Sequence, residues 1–213
     1  VHAEGASLAQ TPLFVKRHTH TTVDTTQPPT YTTDYLASRD SSRVSCAWET
    51  VALPTSDGTT SDNAPALLTA SLCDTNGLPL YAVEYTLLAR NAAGRARVTL
   101  LKDPSGNADV LADMPPGKLP AGIVPGRVVR FRLDLYPVGD AGGTETVALS
   151  CDWSDGRGFV QLARVADEEH RLFGYLAFQS SSTGHRPAPG FAVDNIAVGA
   201  SVSAPVPVVV TQP

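Results

Sequence analysis

Alternation of apolar and polar residues runs through much of this chain. In "LPLYAVEYTLLAR" (78–90), Tyr81, Val83, Tyr85 and Leu87 fall on one face and Glu84 and Thr86 on the other. That period of two is the signature of a half-buried strand. "RVVRFRLDLY" (127–136) is cleaner still, with Val129, Phe131, Leu133 and Leu135 inward and Arg130, Arg132 and Asp134 outward. Further short strands are expected at 43–53, 66–73, 95–101, 144–153 and 158–165, separated by turn signals such as "DTNG", "NAAG" and "SDGR". "RLFGYLAFQS" (171–180) is apolar on both faces and reads as a central strand. The one helical candidate is "ADEEHRL" (166–172), two turns at most. Many short strands with almost no helix predict an all-β, two-sheet antiparallel sandwich.

The ends depart from this pattern. Residues 1–42 include "THTTVDTTQPPTYTTD", which Thr and paired Pro keep out of a helix. They are expected to be an extended arm or an edge strand. Residues 43–200 would be the sandwich. The stretch 201–213, "SVSAPVPVVVTQP", would be an edge strand or tail, since Pro cannot donate to a ladder.

Composition narrows the partners. The 213 residues carry a formal net charge of −5 with no basic tract, which disfavours nucleic acid and anionic membrane. No apolar run reaches the roughly 20 residues that span a bilayer. The low charge and Thr-rich character suggest an exported protein, and the start at Val1 is expected to follow removal of a leader or trimming. For the three cysteines, export suggests a Cys46–Cys73 disulfide. Three buried free thiols are the alternative.

The order of the last strands, "GRVVRFRLDLYPVG", "VALSCDWSDGRGFVQLARV" and "LFGYLAFQSSSTG…PGFAVDNIAV", resembles that of concanavalin A-like jelly rolls, the laminin-G-like and laminarinase-like domains among them. The resemblance covers 127–198 and implies a jelly-roll sandwich. It also implies a role for Asp194, the carboxylate inside the apolar "FAVDNIAV". In that setting an Asp often ligates a structural calcium ion together with a backbone carbonyl from the start of the domain. An ion would neutralise the carboxylate and tie the last strand to the first. The alternative is an Asp194 that accepts backbone N–H bonds, with Asn195 capping a turn.

Laminarinase-type members carry E-x-D-x-x-E, and no such stretch occurs here. Asp167, Glu168 and Glu169 are adjacent and read as a solvated turn. His18 and His20 share a face of any strand, but His2, His170, His185 or Asp24 would have to complete a metal site. No nucleophile elbow, P-loop or dinucleotide fingerprint is present. The chain is therefore expected not to be an enzyme. Trp153, in "CDWSDGRG" with Asp152, Asp155 and Arg157, is the candidate ligand-binding loop, as a sugar platform flanked by polar groups. Its alternative is a core lid, and Trp48 is expected in the core. The leading expectation is a structural or interaction module in a surface or multi-subunit assembly, touching other subunits through arm and tail. The alternatives are a glycan-binding module and a polysaccharide-acting enzyme.

Overall fold

The computed structural model describes residues 13–15, 37–40, 42–52, 66–87, 96–119, 127–138, 146–182 and 191–202. Their strands are β1 (Leu13–Val15), β2 (Ala37–Ser38), β3 (Ser42–Ala52), β4 (Ala66–Cys73), β5 (Pro79–Leu87), β6 (Ala96–Lys102), β7 (Asp109–Met114), β8 (Val128–Leu135), β9 (Val147–Asp152), β10 (Val160–Val165), β11 (Leu172–Phe173), β12 (Tyr175–Ser182) and β13 (Phe191–Val202). All the pairings are antiparallel. A six-stranded sheet runs β1-β13-β3-β8-β9-β10, a five-stranded sheet runs β12-β4-β5-β6-β7, and β11 pairs with β2. This is the expected jelly-roll sandwich. Among the described residues no helix is long and apolar enough to cross a membrane.

The alternation maps onto the two layers. Tyr81, Val83, Tyr85 and Leu87 of β5 and Val129, Phe131, Leu133 and Leu135 of β8 are buried, because burial of their apolar surface against the facing sheet drives the two layers together. Trp48, Tyr85 and Trp153 all make ring contacts with Phe131, with centroids 5.4–6.3 Å away.

Three expectations change, and one strand is new. The apolar segment 171–180 is not a central strand. It divides at Gly174 into β11 and β12, and β12 is the edge of the five-stranded sheet. Gly174 backs onto the turn after β4: an added Cβ would lie 2.7 Å from the Asp74 carbonyl oxygen. Residues 166–171 are not helical but form a connection leading into β11. The strand β7 carries only weak apolar character and was not anticipated. Finally, Cys46, Cys73 and Cys151 are all free and buried, so the Cys46–Cys73 bridge is not formed. Cys46 lies in the six-stranded sheet and Cys73 at the end of a strand in the other. Packed sheets stand about 10 Å apart, beyond the Cα span of a disulfide. Burial pushes the thiols of Cys46 and Cys73 up to about 12.

The segment 1–42 supplies β1, which pairs with Phe191–Val193, and β2. Its Arg39 is fully buried. Most of the arm, with His2, His18, His20 and Asp24, and tail residues 203–213 lie outside the described residues, as does His185. What is described of the arm pairs within the chain's own sheets.

Candidate functional site

The outer face of the six-stranded sheet brings together charged groups that the sequence left scattered. The register places Asp194 opposite Glu49, Glu49 opposite Arg130, and Arg130 opposite Asp152. These four residues, from four strands, form one polar row across the sheet, since directly opposed side chains share a face. Arg130 Nε donates to Glu49 Oε1 at 2.5 Å, and Arg130 Nη1 lies 3.4 Å from Asp152 Oδ2. The guanidinium is held further toward its charged form by the Glu49 hydrogen bond and charge.

The Asp194 end of the row is built by a bulge. Pairing between β13 and β3 shifts between Asp194 and Ala197, and Asn195 adopts φ +49°. An inserted residue of this kind is what a β-bulge requires, and Asn tolerates the left-handed region. Asp194 Oδ1 accepts the Asn195 backbone N–H at 2.8 Å, while Asn195 Nδ2 donates to Glu49 Oε2 at 2.6 Å. Both Glu49 oxygens are thus engaged. Among the described residues, Asp194 accepts a hydrogen bond within this bulge.

Asp152 anchors the other end, its Oδ1 accepting the Ser154 N–H at 2.8 Å. The hairpin beyond it turns through Ser154, Gly156 and Gly158, all at positive φ. Asp155 and Arg157 close on each other there: Arg157 Nε and Nη2 both reach Asp155 Oδ2, at 2.9 and 2.5 Å. Trp153 does not join them. It is 1% exposed and lies in the core against Phe131, so it offers no sugar platform. The expected ligand loop therefore separates: Asp152 stands on the sheet face, Asp155 and Arg157 pair at the hairpin tip, and Trp153 is core, like Trp48.

The neighbouring rows add groups that the sequence reading passed over. Asp134, outward by alternation, is nevertheless buried. Ser45 Oγ donates to it at 2.7 Å, Arg43 Nη2 lies 2.6 Å from Oδ1, and Arg132 Nε lies 3.0 Å from Oδ2. The Arg132 approach is close in charge but not aligned as a hydrogen bond. The Arg132 guanidinium stands 4.7 Å from the ring centre of Phe159, which is 40% exposed, and those of Arg43 and Arg164 stand 5.3 and 5.2 Å from Tyr136. These are cation–π distances.

A second polar cluster occupies the 166–171 connection. Asp167 is its hub: Tyr81 Oη donates to Oδ1 at 2.8 Å, Glu169 N–H donates to the same oxygen at 3.0 Å, and Lys102 Nζ lies 3.2 Å from Oδ2. Arg39 Nη2 and Thr146 Oγ1 both donate to its carbonyl oxygen. Burial pushes the Asp167 carboxyl up, but the Glu169 N–H, Tyr81 and Lys102 overcome that and hold it below its usual range. Glu169 pairs with Lys102 at 2.6 Å and His170 with Asp103 at 2.8 Å. The acidic run is thus a pinned connection, not a freely solvated turn.

No family model matches the chain, and no curated protein matches its sequence. The concanavalin A-like assignment therefore rests on the pattern of strands. Solved structures of similar arrangement do exist. The PL7 alginate lyase AlyA1 of Zobellia galactanivorans matches 78% of this chain and 65% of its own at 13% identity, with a TM-score of 0.42. An alginate lyase of Klebsiella pneumoniae matches 76% and 60% at 16% identity, TM-score 0.44. A tetrameric galectin of the ball sponge Cinachyrella matches 77% and 94% at 12% identity, TM-score 0.37. The chain spans less than two thirds of either lyase, and 29% of a similar chain from a GH43 glycoside hydrolase. The expectation that this chain is not an enzyme is corrected here. Alginate lyases and a GH43 glycoside hydrolase are among the structures of similar arrangement.

Proposed function

We propose that the chain recognises carbohydrate on the outer face of its six-stranded sheet. The observation that carries this reading is the single row Asp194–Glu49–Arg130–Asp152, with Asn195 built into it. Sugar hydroxyls both donate and accept hydrogen bonds. A row of carboxylates, an amide and a guanidinium offers both kinds of partner at fixed positions. Arg130 keeps 45% of its side chain exposed, so the row is open to a ligand from outside. Phe159, just before β10 and 40% exposed, adds an apolar ring whose surface left open by Arg132 can meet the C–H face of a sugar.

The test is a glycan microarray probed with the wild-type protein, followed by titration of the glycans retained. Arg130→Ala and Phe159→Ala are each expected to weaken binding by about tenfold or more, as loss of a charged hydrogen bond or a stacking ring implies. The melting temperature of Arg130→Ala should stay near wild type, because exposed ion pairs contribute little, while Phe159→Ala should fall modestly, since the ring is only 40% exposed. Release of new reducing or unsaturated sugar ends, read in the same mixtures, separates binding from cleavage. An array that retains no glycan, or an Arg130→Ala variant that binds as wild type, overturns the reading.

A further inference from the structure

We infer that the saccharide this face takes is acidic, and that Arg43 and Arg132, organised by Asp134, hold its anionic group. The inference rests on the carbohydrate reading above and goes beyond it in naming the ligand's charge. Asp134 is the unusual element. Its side chain is 2% exposed, yet the two arginine side chains above it remain 33% and 37% exposed. One carboxylate therefore lies beneath two permanent cations, a local surplus of one positive charge confined to this pair, since the neighbouring Asp194–Glu49–Arg130–Asp152 row carries more carboxylates than cations. The two guanidiniums also carry far more N–H donors than one carboxylate can accept, and Ser45 already takes a share of that carboxylate.

The arrangement is pre-organised. Asp134 hydrogen-bonds Arg43 and holds Arg132 by charge, and the Arg43 and Arg132 guanidiniums stand over the Tyr136 and Phe159 rings. A planar guanidinium so held matches the geometry of a carboxylate or a sulfate and binds either with two parallel bonds. Arg132 lies two residues from Arg130 on β8, on the same face and about 7 Å along the strand. A ligand running along β8 meets the mixed row first and the cationic pair next. The chain as a whole carries −5, so attraction to a polyanion has to come from a local site and not from overall charge.

The experiment is calorimetric titration of the whole chain with polygalacturonate, dextran sulfate and neutral dextran, each at rising sodium chloride. An acidic polymer is expected to bind, more weakly as salt rises, and neutral dextran to bind at least tenfold more weakly. Preference for polygalacturonate marks a uronate carboxylate as the anion. Preference for dextran sulfate marks a sulfate ester. The triple variant Arg43→Gln/Asp134→Asn/Arg132→Gln removes the cluster without stranding a buried charge. It should lose at least tenfold in affinity for the acidic polymer, whereas Arg97→Gln, whose partner is Asp113 on the other sheet, should lose nothing. If the triple variant does not fold, Arg132→Lys keeps the charge but not the fork and should show a severalfold loss. Binding of both acidic polymers at wild-type strength by the variants overturns the inference, as does failure of the wild type to bind either one. If array glycans still bind and depend on Arg130, that failure leaves the carbohydrate reading standing. If nothing binds, both fall.

Discussion

Replacing Trp153 separates the two roles open to it. The indole is 1% exposed and packs edge-on against Phe131, with centroids 6.3 Å apart. Trp153→Ala should cost about 3–5 kcal/mol, the usual range for emptying an aromatic site in a core. For a domain of this size that lowers the melting temperature by about 6–20 °C. Trp153→Phe behaves differently. It deletes roughly three ring atoms, worth about 2 kcal/mol of burial. It also deletes Nε1–H, which is buried without a hydrogen-bond partner. Removing an unsatisfied donor returns about 1–3 kcal/mol, so the two terms nearly cancel and Trp153→Phe should lie within about 1 kcal/mol of wild type. Urea unfolding followed by far-UV circular dichroism measures both variants. A sugar platform makes the opposite forecast: lost glycan binding at unchanged stability in Trp153→Ala. That result, or a Phe variant as unstable as the Ala variant, would refute the placement of the ring.

Two further outcomes follow from the same geometry. The Asp167 carboxyl is held below its ordinary range, so its contribution to stability is present above about pH 4 and is lost as the pH falls through the folded value. Asp167→Asn should therefore lose roughly 1–3 kcal/mol at neutral pH, and the gap to wild type should close on acidification, as read from urea midpoints across the acid range; a gap independent of pH would count against the hub. The three cysteines are buried thiols, with Cys46 and Cys73 raised to about 12 by burial. A thiol reagent should leave the native protein unlabelled and find three equivalents after unfolding, with a melting temperature insensitive to reductant; a stability loss on reduction would restore the disulfide.

Much of the fold was legible because period-two alternation states which residues face the core. The same parity also held information that the local reading of Trp153 set aside. Val147, Leu149 and Cys151 face inward, and Trp153 continues their phase, with Ser150 and Asp152 opposite. Its position beside a turn suggested exposure, but the parity of the strand decided. The bulge had a signal of its own. Val193 and Ile196 are three apart, which breaks the period of two and requires an extra residue between them. Other features had no local signal. Residues 49, 130, 152 and 194 meet only through the register of four strands, and register is set by long-range pairing. Asp134 was correctly placed on the outer face, but alternation identifies the face and not what covers it. Two arginines from different strands close over this one. The edge position of β12 was hidden for the same reason, since an apolar run does not reveal how many neighbours a strand has.

A solvated sheet face needs polar residues merely to stay soluble, and that reading has to be weighed against a binding face. Solubility is served by mobile, unpaired side chains and does not require fixed geometry. This face is fixed: Glu49 is bonded at both oxygens, and Asp134 is buried beneath two guanidiniums. Stability does not explain it either. Exposed ion pairs contribute about 0–1 kcal/mol, and burying a carboxylate such as Asp134 carries a desolvation penalty that its partners only offset. Ordering long arginine side chains adds an entropic cost. Charge held in place at such expense yields little for the free protein, but it lowers the cost of ordering those groups when a ligand arrives. The face is therefore better understood as prepared for a bound partner than as a coat for the sandwich. The forecast that separates the two is that neutralising Arg43, Asp134 and Arg132 together leaves stability nearly intact while affinity for an acidic saccharide falls.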